Sequence, residues 1–166
     1  DLALSVMTGA PLHVANVSTA GALRAIRAGK ERGGRTSCGV TPHHFTLTDE
    51  QLATYDANFK TNPPLREAPD VDAMLDGLRD GTIDCISTAH APHHYDEKLV
   101  EFDRAPFGVV GLETAVSICL DRLVHAGHVT LARLVELLAV NPARILGVTG
   151  GRLTLGAPAD VTVLGL

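Results

Sequence analysis

Three short apolar runs, each followed by a stretch with helical spacing, limit what this chain can fold into more than any other feature. "PLHVANV" (Pro11 to Val17), "RTSCGV" (Arg35 to Val40) and "TIDCIST" (Thr82 to Thr88) have the length and apolar content of buried strands. After the first, Ser18 or Thr19 can cap a helix whose Leu23 and Ile26 face inward and which Gly33 and Gly34 end. After the second comes the loop "TPHH", then a short helix opened by Thr48 with Gln51 at the spacing of a capping box. "NPPLRE" has to be an ordered loop, because its prolines remove donors and push the preceding residues into extended geometry. Val71, Met74, Leu75 and Leu78 then recur at helical spacing ahead of the third run. A long loop from Ala89 to about Phe107 precedes two more helices, Leu112 to Ala126 and Thr130 to Ala139, and a β-like "ADVTVL" near the end. Strand followed by helix, repeated, is the pattern of an α/β fold with a parallel sheet and right-handed crossovers.

Composition narrows the function classes. At 166 residues and 45% hydrophobic content the chain can bury a real core in one domain. A formal charge of −5, with Lys and Arg scattered, leaves no footprint for nucleic acid or an anionic membrane. No apolar stretch is long enough for a membrane span, and no basic region followed by an apolar one marks export. Cys38, Cys85 and Cys119 are odd in number and lodged in apolar runs, which predicts buried free thiols in a cytoplasmic protein. The chain starts without Met in mid-pattern, which is the expectation for a fragment or processed piece.

In parallel α/β folds the chemistry gathers at the C-terminal ends of the strands. Here those ends carry Asn16, then Thr41, His43 and His44, then Thr88, Ala89 and His90. "STAHAPHH" packs three histidines into five positions, the density of a metal site, yet alanine stands beside the first of them. A site role is expected for at least one of His90 and His93, since Pro92 stiffens their loop. His13, inside an apolar strand, is expected to point into packing or to a backbone partner. His43 and His44 read as a loop pair that bonds across the rim, and His94, His125 and His128 as solvated.

"LHVANVST", "VTPHHFTLT", "NPPLR", "DGTIDCISTAHAPH", "APFGVVGLETA", "NPARILGV" and "GRLTLGAPADVTV", in this order and spacing, resemble the C-terminal half of a bacterial class I dihydroorotase of the amidohydrolase superfamily. The resemblance covers essentially the whole chain. It implies a partial (β/α)8 TIM barrel of the metal-dependent hydrolase type. Residues 1–148 would supply the last three barrel strands with their helices, and residues 149–166 the beginning of a small C-terminal β-sandwich segment. It also implies a zinc centre that hydrolyses dihydroorotate to N-carbamoyl-L-aspartate, or closes that ring, in pyrimidine synthesis.

Transferred one position at a time, the resemblance implies substrate contacts at Asn62, for the ring, at His93, for the substrate carboxylate, and along the backbone of Phe107 and Gly108. Two positions depart from it. A family zinc-ligand histidine falls on Asn16, and the family aspartate that is both zinc ligand and acid/base falls on Ala89. Gly39 stands where the family commonly has Glu. Zinc is therefore expected to be held weakly or not at all, and hydrolysis to be impaired. A three-strand arc cannot close a barrel, so its edges should seek a second copy or a complementary N-terminal half. The alternatives are a non-catalytic scaffold that partners aspartate transcarbamoylase, or a hydantoinase or allantoinase relative.

Overall fold

The computed structural model describes residues 1–165. Three parallel strands, β1 (Leu12–Val14), β2 (Thr36–Val40) and β3 (Cys85–Ile86), form one sheet in the order β1-β2-β3. Helix α1 (Leu2–Thr8) precedes β1 and had no counterpart in the sequence reading. Helix α2 (Ala20–Glu31) makes the first crossover, and α3 (Ala68–Asp80) lies in the second, after the 42–67 loop. Short helix α4 (Tyr95–Lys98) lies in the long loop after β3, followed by α5 (Ala115–Cys119), α6 (Leu131–Val135) and α7 (Asn141–Leu146).

The expected helices exist because their caps and apolar faces agree. Thr19 accepts the Ala22 N–H at 3.2 Å, and Asp70 of α3 accepts the Ala20 N–H at 2.7 Å, so the exposed donors at the start of α2 are met from two sides. Gly81, at φ 84°, ends α3. Leu23, Ile26, Met74 and Leu78 pack with Cys38, Val40 and Ile86 of the sheet and with Leu123, Leu134 and Leu137 of the later helices. The core thus lies on the helix-covered face of the sheet. Cys38, Cys85 and Cys119 are all buried free thiols. Burial raises Cys38 and Cys119 to about 12 and Cys85 to about 11, which keeps all three protonated.

Several elements differ from the sequence reading. The strands are shorter than their apolar runs; the backbone is left-handed at Asn16 (φ 53°), inside the first run, and at Ala89 (φ 44°), just past the third, so neither extended run continues through those positions. Thr48 makes no side-chain cap, and the capping box gives way to a 3₁₀ helix over Asp49–Thr54. The helix expected from Leu112 begins at Ala115, and both late helices continue as π-helical runs, Leu120–His125 and Glu136–Val140. His13 is exposed rather than packed, with Nδ1 2.8 Å from the Ser37 hydroxyl, because the sheet face it occupies is the uncovered one. "ADVTVL" forms no strand; a ladder needs a partner, and none lies beside it among the described residues.

Candidate functional site

The parallel order β1-β2-β3 brings the three strand ends to one rim. Ser87, just past β3, donates its hydroxyl to the Asn16 side-chain oxygen at 3.0 Å, reaching across β2 to the end of β1. Val17 N–H donates to Gly39 O and Ser87 N–H to Val40 O, so backbone pairing continues toward the rim. At Gly39 a side chain would meet Cys85 Sγ at 3.0 Å. The position that departs from the family glutamate therefore has a sulfur packed over it.

Beyond the rim, the 89–111 segment folds back on itself. His90 Nδ1 accepts the N–H groups of Gly111 and Leu112 at 3.1 and 3.2 Å, Ala91 N–H donates to Val109 O at 2.9 Å, and His93 Nε2 bonds Phe107 O at 3.0 Å. His93 Nδ1 lies 3.2 Å from Glu97, whose carboxylate also accepts the His94 N–H as a capping box for α4. Both ring nitrogens of His93 are thus engaged within the segment.

Two lysines, neither singled out by the sequence reading, fasten this segment to the 57–62 loop. Buried Lys60 donates to Phe102 O and Asp103 O at 2.6 and 3.0 Å, and its ammonium lies 4.7 Å from the Phe107 ring centre. Its own carbonyl accepts the Gly108 N–H at 2.9 Å. Lys98 donates to Ala57 O and Pro106 O at 3.0 and 2.8 Å. Desolvation, and then the charge of Lys60, lower the Lys98 ammonium below its ordinary range. No spacing signal marks either lysine, because carbonyl oxygens are their partners.

The result is a small cavity of about 190 Å³ lined by His43, Thr61, Asn62, Ala89, Ala91, Phe107, Gly108 and Val109. Four of the residues expected from the sequence, Asn62, Ala89, Phe107 and Gly108, thus line one space. His93 lines an adjoining cavity of about 370 Å³ whose walls include Leu47, Phe59, Leu65, Val110 and Ile118. Asn16 lines neither. His94 is exposed, and His128 bonds Arg79.

The donor set does not fit a zinc ion. Position 89 offers a methyl group, and the Asn16 oxygen is a weak zinc donor already bonded to Ser87. His44 engages Thr41 Oγ1 and Pro63 O with its two ring nitrogens, and His90 Nδ1 accepts two N–H groups. Among the described residues no three His, Cys, Asp or Glu side chains come together as a metal-holding group.

Ala89 holds a left-handed backbone without the side-chain chemistry that makes Asp, Asn or Gly common there. Ala89→Gly is expected to stabilise the chain by about 1 kcal/mol, since relief of that strain exceeds the entropy glycine adds to the unfolded state. Urea unfolding measures it, and a lowered midpoint would contradict it.

His43 and His44 carry a pH dependence. Burial, then the neighbouring His44, lowers His43 from 6.5 to about 4, and burial lowers His44 as well. The unfolded chain therefore takes up these protons first. Stability is full above about pH 6.5 and falls as the pH drops toward 4, and for His43 the loss should be about 2 kcal/mol after discounting for the water that reaches its ring. Urea unfolding at pH 7 and pH 4.5 should show a smaller acid loss in His43→Gln than in the native chain. Equal losses would exclude His43 as the source.

The family profile described as "Amidohydrolase family" matches residues 5–166. The chain belongs to the amidohydrolase family. Within it, the chain is 54% identical over 164 residues to the dihydroorotase of Pelotomaculum thermopropionicum, covering 99% of this chain and 38% of that protein. It is 57% identical over 166 residues to the dihydroorotase of Anaeromyxobacter dehalogenans strain 2CP-C, again covering 99% and 38%. The dihydroorotase resemblance read from the motifs is thus shared with these relatives, though the chain spans 38% of their length. Among solved structures it is similar to the dihydropyrimidinase from Brevibacillus agri NCHU1002, with a TM-score of 0.90, 26% identity, and coverage of 96% of this chain and 36% of that one. It is also similar to the L-hydantoinase (dihydropyrimidinase) from Arthrobacter aurescens, with a TM-score of 0.88, 28% identity and the same coverage. No helix among the described residues is long and apolar enough to cross a membrane.

Proposed function

We propose that this chain is the C-terminal part of the barrel of a dihydroorotase-type cyclic amidohydrolase, retaining the ring-binding wall of the site and lacking its hydrolytic groups. The observation that carries this reading is the grouping of Asn62, Phe107 and Gly108 around one cavity at the strand ends, with Ala89 on the same wall. Dihydroorotate or N-carbamoyl-L-aspartate is the ligand. The Asn62 amide can both donate to and accept from the uncharged N–H and C=O groups of such a ring, and the ligand carboxylate goes to His93, replacing Phe107 O.

Ring opening needs more than this wall. A cyclic amide resists neutral water, so the attacking oxygen has to lose a proton and the leaving nitrogen has to gain one. At position 89 a methyl group has no lone pair for either transfer. That contribution is typically about 10²–10⁴-fold in rate. The substitutions at positions 16 and 89 also suit the second reading, a non-catalytic scaffold supporting aspartate transcarbamoylase. A hydantoinase-type role is the weaker alternative, because a hydantoin ring needs no carboxylate contact at His93.

The test is titration of the isotope-labelled chain with L-dihydroorotate and, separately, with hydantoin. Shifts at the Asn62 side-chain amide, the Gly108 amide and the His93 ring with dihydroorotate alone are the expected result. Equal response to hydantoin would move the reading to the hydantoinases, and no response to either ligand would favour the scaffold.

A further inference from the structure

Adjacent histidines in "TPHH" have opposite fates. Their ring centres lie 4.5 Å apart, tilted by 48°. His44 is buried, with Nδ1 2.7 Å from Thr41 Oγ1 and Nε2 3.0 Å from Pro63 O, so its ring pins the turn after β2 to the 61–65 loop. His43 is half-buried, and neither of its ring nitrogens has a hydrogen-bond partner among the described residues. It lines the small cavity beside Asn62 and Ala89, and also the adjoining cavity beside His93. Of the rim residues, it is placed where the two spaces meet.

We infer that His43 is a further ligand-contacting residue of this site, hydrogen-bonding the uncharged amide edge of the bound ring. The inference rests on the cavity reading given above and adds a residue to it. The His43 ring nitrogens have no protein partner among the described residues and are not cut off from solvent, so a ligand N–H or C=O entering the cavity can take the place of water there. Burial keeps His43 uncharged at neutral pH, so its ring presents one donor and one acceptor instead of a positive charge. It therefore does not compete with His93 for the ligand carboxylate. The turn fixes it there: Pro42 opens the 3₁₀ turn Pro42–His44 directly after β2, and the paired ring of His44 holds the other end.

The experiment follows the imidazole signals, together with the Asn62 side-chain amide, of the full chain labelled uniformly with ¹⁵N during titration with L-dihydroorotate. The His43 ring signals are expected to shift while those of His44 stay in place. His43→Leu should weaken the apparent Kd about tenfold, the scale of one lost hydrogen bond, and His43→Gln, whose amide also donates and accepts, should recover part of that loss. Shifts at Asn62 and His93 with an unmoved His43 ring overturn the inference and leave the cavity reading intact. Silence at Asn62, His93 and His43 together overturns both. The native-chain titration decides the matter even if His43→Leu folds poorly.

Discussion

Co-expressed with the N-terminal segment of a dihydroorotase relative, the double variant Asn16→His, Ala89→Asp should retain about one zinc ion per assembled pair after dialysis, where the unrepaired chain retains far less. The backbone already suits both replacements. Asn16 at φ 53° and Ala89 at φ 44° lie in the left-handed region, where Asp and His are among the side chains most often tolerated. The aspartate would add a carboxylate donor at the end of β3, and the histidine would exchange an amide oxygen bonded to Ser87 for an imidazole nitrogen. Either change alone leaves one of the two positions without a competent donor, so each single variant should stay near the unrepaired level. Elemental analysis reads the metal, and the absorbance difference between dihydroorotate and carbamoyl aspartate reads ring opening. Zinc retained as well by a single variant as by the double would sink the two-position account. Zinc restored without ring opening would favour the scaffold reading.

What could be read from the sequence follows from the kind of signal each residue leaves. The apolar runs located all three strands, and helical spacing located α2 and α3, with a cap at Thr19 adding to the case for α2, because burial and capping act within a few residues of one another. The motif resemblance picked out Asn62, Phe107 and Gly108, which come together from loops about 45 residues apart in the chain, a convergence no local pattern encodes. Strand ends were overestimated since hydrophobicity does not report the sign of φ at Asn16 or Ala89. The Lys60 and Lys98 clamps were invisible for another reason: their partners are carbonyl oxygens, which every residue carries. His13 was misplaced because an arc of three strands leaves one sheet face open, so an apolar neighbourhood in sequence did not become one in space.

Gly108→Ala should cost about 3 kcal/mol or more of stability, the sum of a backbone φ of +139° that favours glycine and of direct overlap with the facing loop. A Cβ there would lie 2.7 Å from both Ala91 Cβ and Ala91 O, and 3.0 Å from His93 Nε2. Neither side can retreat freely: the Gly108 N–H is bonded to Lys60 O, and Ala91 N–H to Val109 O. Gly127→Ala separates the two contributions, because Gly127 has φ +76° but nothing within 4 Å of its added Cβ, so it should lose only about 1 kcal/mol of backbone strain. Urea unfolding compares the variants, and chymotrypsin cleavage after Tyr95, Phe102 or Phe107 reports whether the 89–111 segment has opened. A Gly108→Ala loss no larger than that of Gly127→Ala would mean the facing loop yields easily. In that case the close approach of Gly108 to Ala91 and His93 could not be what holds the Phe107–Gly108 wall against the cavity, and the two lysine clamps would have to hold it alone.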